Sequence, residues 1–286
     1  MAELIVLGLL LGGVYVAVGL GFSLVWGILN IVNLAYGALV MIAGYITWIL
    51  SVRYGLDPFL SIPVNLVVMF AIGYAVQYVA INRIVRAPFL YTFLITFGLD
   101  LIVVNALLLL FKADFRSVNT FYSGASLAVG PLVVPYVRLW SLAVAMALAA
   151  VMWLILNRTR TGDAIQAVGA DKDAARLVGI SLRHVYALTF GIGAACAGVA
   201  GPLIVTYQAI TPSAGGPYTL QAFVVVILGG LGRVSATVVG GMLFGLIEVL
   251  AQAVPGVGAG YTNAIAFAVL VAVLLLRPRG LLGRLA

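Results

Sequence analysis

Residues 157–184 read NRTRTGDAIQAVGADKDAARLVGISLRH, a polar insert between long apolar runs. It holds Arg158, Arg160, Asp163, Asp171, Lys172, Asp173, Arg176 and Arg183, in a chain of 286 residues with only 15 Lys/Arg and 8 Asp/Glu. Hydrocarbon cannot take so many charges, so the insert lies in water or against another protein. Its pattern is that of folded structure. Residues 163–169 and 173–178 read as short helical runs, with Asp171 or Asp173 placed to cap the second and Gly179 to end it. The apolar Ile165, Val168, Leu177, Val178 and Ile180 would be poorly placed on a solvated tether. The insert therefore reads as a docking platform for a soluble partner, with an ordinary structured loop as the alternative.

Around the insert the chain is apolar: 64% hydrophobic, 8% charged, mean hydropathy +1.23. A soluble domain carries about 25% charged residues. The expected fold class is all-α, a polytopic membrane helix bundle forming a single transmembrane domain over residues 1–286. A net charge of +7 would suggest nucleic acid for a soluble protein. Here loop asymmetry accounts for it, and no nucleic-acid partner is expected. The lone Cys196 lies in an apolar run, which excludes an intrachain disulfide and a cysteine metal cluster. No metal and no cofactor are expected. The first apolar run starts at Leu4 behind the acidic Glu3, without a basic flank, and is long enough to span; it reads as a transmembrane segment and not as a signal peptide.

Nine apolar segments fall near 4–28, 34–50, 60–81, 89–111, 132–156, 185–207, 220–231, 236–254 and 256–276, so eight or nine membrane segments are expected. The fifth contains Pro135 and Arg138, which moves its membrane part to about Leu139. The seventh is too short to cross about 30 Å as a helix. With the eighth, across Gly229-Gly230-Leu231-Gly232-Arg233, it reads as a broken or re-entrant pair near 220–254. If the turn with Arg83 and Arg86 is cytoplasmic, the insert, Arg233, Arg277, Arg279 and Arg284 also fall inside. Only Arg53, Lys112, Arg116 and Arg138 are then left outside. The N-terminus is thus expected outside and the C-terminus in the cytoplasm. The stretch 112–131 becomes an external loop open to an extracytoplasmic partner, or a plain connection.

Small residues recur four apart at Gly8/Gly12, Ala194/Gly198, Ala197/Gly201, Ala236/Gly240 and Gly241/Gly245, among 33 glycines. In lipid such spacing lets helix backbones approach, which predicts a tightly packed bundle or a subunit interface. Charges within the spans are few. Asp100 and Glu248 each cost about 2.5–3.5 kcal/mol at mid-membrane if ionised, which favours inward-facing functional groups over carboxyls merely bonded within the bundle. Further relay residues are lacking, which argues against a proton-driven carrier. Asn30 and Asn33 stand one helical turn apart, on one face if the helix continues. With Tyr36 and Gly37 they line a path for a polar solute, or pair at a helix break.

Enzymatic readings fare worse. Gly21-Phe22-Ser23-Leu24 fits a short intramembrane serine-protease pattern, and His184 is the one histidine, beside Arg183 at a segment edge. No H-E-x-x-H and no G-K-[ST] occurs, so any ATPase is another chain. An uncoupled channel is the rival from a different class.

Three stretches carry a family resemblance. They are Gly21-Phe22-Ser23-Leu24-Val25-Trp26-Gly27 with Asn33-Leu34-Ala35-Tyr36-Gly37; Thr161-Gly162-Asp163-Ala164-Ile165-Gln166-Ala167 to Gly179-Ile180, then Leu188-Thr189-Phe190-Gly191-Ile192-Gly193-Ala194; and Leu228-Gly229-Gly230-Leu231-Gly232-Arg233-Val234 with Gly240-Gly241, then Arg277-Pro278-Arg279-Gly280-Leu281-Leu282-Gly283. In this order the chain resembles the LivH-type permease subunits of branched-chain amino-acid ABC importers. The resemblance implies a bacterial inner-membrane, multi-pass subunit that is not itself an enzyme. It would work with a second, LivM-type permease, two cytoplasmic ATP-binding-cassette subunits and an extracytoplasmic solute-binding protein. The small solute would be a branched-chain or related amino acid, with urea, short amides and ribose-type sugars as alternatives. The insert would then hold the coupling helix, through Thr161, Gly162, Asp163, Ala164, Ala167, Gly169, Asp171, Ala174, Ala175, Gly179 and Ile180. The translocation path would draw on Asn30, Asn33, Tyr36, Gly37, Asp100, Gly229, Gly230 and Glu248. Tyr36, Asp100 and Arg233 depart from residues frequent in the family.

Overall fold

A helix that is apolar on every side has no face to offer water, and the long helices of this chain are of that kind. The computed structural model describes residues 2–83, 89–120, 122, 124–129, 132–253, 262–276 and 281. It runs α1 (Ala2–Leu29), α2 (Tyr36–Tyr54), α3 (Ile62–Val79), α4 (Phe89–Phe111), strands β1 (Ser126–Val129) and β2 (Leu132–Pro135), then α5 (Tyr136–Arg158). Two short helices follow, α6 (Arg160–Ala170) and α7 (Lys172–Leu177), and then α8 (Leu182–Tyr207), α9 (Gly215–Gly229), α10 (Val234–Gln252) and α11 (Thr262–Leu276). This is an all-α polytopic bundle.

Among the described residues seven helices are long and apolar enough to cross a bilayer: α1 to α5, α8 and α10. The expected eight or nine segments slightly exceed that count. The seventh expected segment is α9, which has 15 residues and measures about 22 Å, short of a hydrocarbon core about 30 Å thick. The ninth is represented by α11, also of 15 residues. Arg86, Arg277, Arg279 and Arg284, on which the expected orientation partly rests, lie outside the described residues.

The glycine spacings are helix contacts. A Cβ placed on Gly12 of α1 would stand 2.7 Å from the Met242 Cα of α10, and one on Gly245 2.5 Å from the Gly12 Cα. Gly241 likewise faces the backbone of Val16. On α8, Gly198 meets Asn65 and Met69 of α3, while Gly201 meets Gly44 of α2. Gly240 lies on Val225 and Gly229 of α9. Without a hydrophobic drive between helices in lipid, this backbone-to-backbone approach supplies the dispersion contact that holds them together.

The segment between α4 and α5 is not a plain loop. Strands β1 and β2 pair antiparallel, Ser126 with Pro135 through Val129 with Leu132. Arg116 bridges to Ile210 by two backbone hydrogen bonds of 2.9 and 2.7 Å and lies over the Trp48 ring. The Tyr122 hydroxyl donates to Asp57 at 2.6 Å. Burial, and then the bond to that carboxylate, raise the Tyr122 phenol above its ordinary range.

Candidate functional site

The platform is assembled from its caps inward. Thr159 opens α6 by accepting the Gly162 N–H at 3.1 Å. Gly162 is pressed on the carbonyls of Ile155 and Leu156, where a side chain has no room. Ile165 and Val168 are fully buried, Gly169 comes up to Ile28 of α1, and the Gln166 amide donates to the Leu156 carbonyl. Asp171 then caps α7, its carboxylate accepting the N–H groups of Asp173 at 2.8 Å and Ala174 at 3.0 Å. Such a cap is worth about 1 kcal/mol.

Gly179 ends α7 with φ +86°. Its N–H bonds the Arg176 carbonyl and the Ile180 N–H that of Ala175, both at 3.0 Å. That pair of bonds is the Schellman arrangement, which needs a residue free to adopt positive φ. Thr161, Asp163 and Ala174 are exposed, Ala164 and Ala167 half-buried, and Ala175 buried.

One expectation about the insert is corrected. Ile165 and Val168 are buried and Ile180 is half-buried, but Leu177 and Val178 are 89% and 76% exposed. Only one side of the six-residue α7 touches the bundle, through Ala175, so its end projects an apolar tip.

The membrane residues divide into separate places. α1 stops at Leu29, and Asn30 takes φ +56°. Asn30 is exposed while Asn33 is buried, accepting the Ala35 N–H at 3.1 Å. The two amides therefore do not share a helical face, because the helix whose period would align them has already ended. Asn33→Leu leaves the Ala35 N–H without its acceptor. We expect it to lower stability by about 1–2 kcal/mol, read as a fall in melting temperature in detergent that Asn30→Gly, which keeps the left-handed backbone at φ +56°, does not show.

From that turn α2 starts against α9. The Gly37 N–H donates to the Thr219 hydroxyl at 2.8 Å, and Thr219 donates to the Leu34 carbonyl at 3.2 Å. Gly37 lies directly on the Gly215 backbone. Beside this seam the buried Tyr36 ring is edge-on to Phe22 at 5.6 Å, and Trp26 stacks on Phe223 at 4.9 Å. Gly229 and Gly230 sit at the opposite end of α9, where Gly229 abuts Ala236 and Gly230 turns the chain at φ +117°.

Asp100 lies on α4 with Oδ1 buried and without a hydrogen-bond partner among the described residues. Thr96 and Thr92, both buried, stand one and two turns before it on the same face. Thr96 donates to the Val32 carbonyl at 3.3 Å, which turns this polar stripe toward the α1–α2 break. Glu248 is half-buried on α10, its carboxylate 3.5 Å from the Gln252 amide and beside Tyr15 of α1. His184 meets Tyr74 at 3.1 Å, and Ser23 is buried in α1.

Comparison with known proteins decides the family. The model of the family described as "Branched-chain amino acid transport system / permease component" matches residues 4–274. The chain belongs to this permease family. The Pseudomonas aeruginosa high-affinity branched-chain amino acid permease protein BraD is 31% identical over 293 residues, covering 97% of this chain and 94% of that protein. Escherichia coli LivH, of the same description, is 30% identical over 297 residues with the same coverage. The D-allose permease protein AlsC of Escherichia coli is 30% identical over 232 residues, 76% of this chain and 66% of its own. No solved structure matches the chain.

As a member of the permease family the chain is a multi-pass inner-membrane subunit of an ABC transporter and not an enzyme, with ATP hydrolysis on separate subunits. Sequence reasoning about this permease missed Thr92, Thr96, Thr219 and Tyr15. The threonines at 92 and 96 could have been found, since they continue the Asp100 face at four-residue spacing. Thr219 and Tyr15 acquire their roles from residues far away in the chain, which no local pattern reveals.

Proposed function

We propose that this permease imports branched-chain or related amino acids, taking them from an extracytoplasmic binding protein and pairing with a second, LivM-type permease over two cytoplasmic ATPases. The supporting observation is the platform: two short capped helices, α6 locked to α1 and α5 with Gly162, Ile165 and Val168 buried, and α7 on α6 and α8 with Leu177 and Val178 left bare. In this reading the insert and C-terminus face the cytoplasm and the N-terminus lies outside. The coupling surface comprises Thr161, Asp163, Ala164, Ala167, Ala174 and the α7 tip, held in shape by Gly162, Gly169, Asp171, Ala175, Gly179 and Ile180.

ATP-driven closure of the ATPases moves the platform. Because α6 is packed rigidly on α1, the motion is delivered to the α1–α2 break and to α9. Solute passes along Asn30, Asn33, Tyr36, Gly37, Asp100 and Glu248, where polar groups interrupt apolar walls. Gly229 and Gly230 act as the turn that lets α9 and α10 shift together.

Reconstitution tests the reading. Proteoliposomes holding the full complex should take up leucine, isoleucine or valine only with ATP and the cognate binding protein, and those holding this chain alone should take up none. Flux from the chain alone would make it a channel. A complex that moves only an aldose would shift the solute to the sugar branch of its relatives.

A further inference from the structure

Four cations converge on the side of the platform nearest α3. Arg83, which follows α3, Lys172 and Arg176 of α7, and Arg183 at the start of α8 line a cleft of about 730 Å³. Among the described residues a single carboxylate shares it, Asp173, 3.9 Å from Arg176. Four like charges lining one cleft favour an anion between them.

The cleft wall is braced from within the bundle. The Gln77 amide, on a fully buried residue, donates to Asn82 Oδ1 at 3.2 Å, and the Asn82 amide donates to the Arg183 carbonyl at 3.1 Å. The Arg183 guanidinium lies 5.3 Å over the Tyr78 ring, which stacks on Tyr74 at 6.0 Å. Tyrosines at the end of a span are characteristic of headgroup depth.

A second observation lies deeper on the same two helices. Between α3, α5 and α8 runs an almost wholly apolar groove of about 380 Å³, with Phe70, Met152, Ile192 and Cys196 in its wall. It opens outward at Val67 and Val151, which are 71% and 50% exposed. On α8, Leu182 lines the cleft and Ile192 the groove, about 15 Å apart along the axis. Cations at one end and a greasy channel at that remove match a phosphate headgroup with its acyl chain.

We propose that cleft and groove together hold one anionic phospholipid of the leaflet that the insert faces, its phosphate among the four cations and a chain between α3, α5 and α8. Lys172 and Arg176, one turn apart on α7, then tie the coupling platform to the membrane surface, so that leaflet charge steadies the α7 tip. The choice of the cytoplasmic leaflet rests on the orientation proposed above; the binding itself does not.

The test uses the complete complex in nanodiscs of phosphatidylcholine with a minor share of phosphatidylglycerol, with lipid retained on the permease counted by native mass spectrometry. One phosphatidylglycerol per copy should be retained in preference to phosphatidylcholine. Arg83→Gln with Arg183→Gln should weaken that preference on the order of thirtyfold, each lost charge contributing about fivefold. Since both arginines brace helix ends, the wild-type complex is also titrated with salt, and its preference should decline as salt rises.

Equal retention of the two lipids by the wild-type complex overturns the proposal. So does competition by soluble glycerol phosphate as effective as by intact lipid, which would leave the groove no part. Loss of ATPase subunits from the double variant with lipid retention unchanged also overturns it, and assigns the cleft to an acidic segment of the ATPase. None of these readouts requires transport, so failure here is separable from failure of the importer reading.

Discussion

Leu177→Glu combined with Val178→Glu is expected to reduce solute-stimulated ATP hydrolysis by about tenfold or more while the permease still inserts and folds. Both side chains are largely exposed, at 89% and 76%, so replacing them removes no internal packing. In the proposed coupling they lose burial against another subunit, worth about 1.5–3 kcal/mol for each side chain fully covered. Two carboxylates placed there add a desolvation cost on any docked surface. Because α7 is held by the Asp171 cap and the Gly179 Schellman turn, the substitution leaves the shape of the platform intact. The measurement is ATPase activity of the nanodisc complex with and without liganded binding protein, beside the melting temperature of the permease. Unchanged stimulation at unchanged melting temperature would show that the bare tip of α7 touches no ATPase.

The second cap, the end of α7 and the buried face of α6 were legible in advance because what shapes them is local, whereas the exposure of Leu177 and Val178 was not. Asp171, Gly179 and the spacing of Ile165 and Val168 act within one or two helical turns, the range over which capping and periodicity rules hold. The span Phe89–Phe111 was likewise readable to its ends, since apolar length is a local quantity. Asn30 and Asn33 were misaligned for a definable reason. Helical periodicity was carried four residues past Leu29, to Asn33, through Asn30 at positive φ where the period no longer applies.

The seam between Gly37 and Thr219 was out of reach for another reason: its partners are 182 residues apart in sequence. The same holds for Tyr15 beside Glu248. A single sequence states that a buried carboxyl needs company but not which helix supplies it. Orientation stands apart from both, since it was argued from the placement of lysine and arginine and nothing in the packing of the helices distinguishes the two sides of a bilayer.

Gly245→Val should prevent the permease from accumulating as a folded, monodisperse protein. A Cβ at this position would stand 2.5 Å from the Gly12 Cα and 2.6 Å from the Gly8 carbonyl oxygen. Both are backbone atoms of α1, which cannot swing aside as a side chain would, so α1 and α10 must move apart along their whole contact. Overpacking in a close-fitted core typically costs about 1–3 kcal/mol. The cost here falls at the upper end, because dispersion is the principal attraction between helices in lipid and a separation of even 1 Å or so forfeits a quarter to a half of each contact. Gly98→Ala is the matched control: nothing lies within 4 Å of the added methyl, and alanine favours helix over glycine by about 1 kcal/mol. Yield, size-exclusion profile and melting temperature should therefore fall for Gly245→Val and hold or rise for Gly98→Ala. The consequence reaches the proposed transport path, since Glu248 lies less than one turn beyond Gly245 and α10 begins at the turn that packs on Gly27. A Gly245→Val protein that melts like the wild type would mean that α1 and α10 do not meet at Gly12 and Gly245, and the placement of Glu248 beside Tyr15 would go with it.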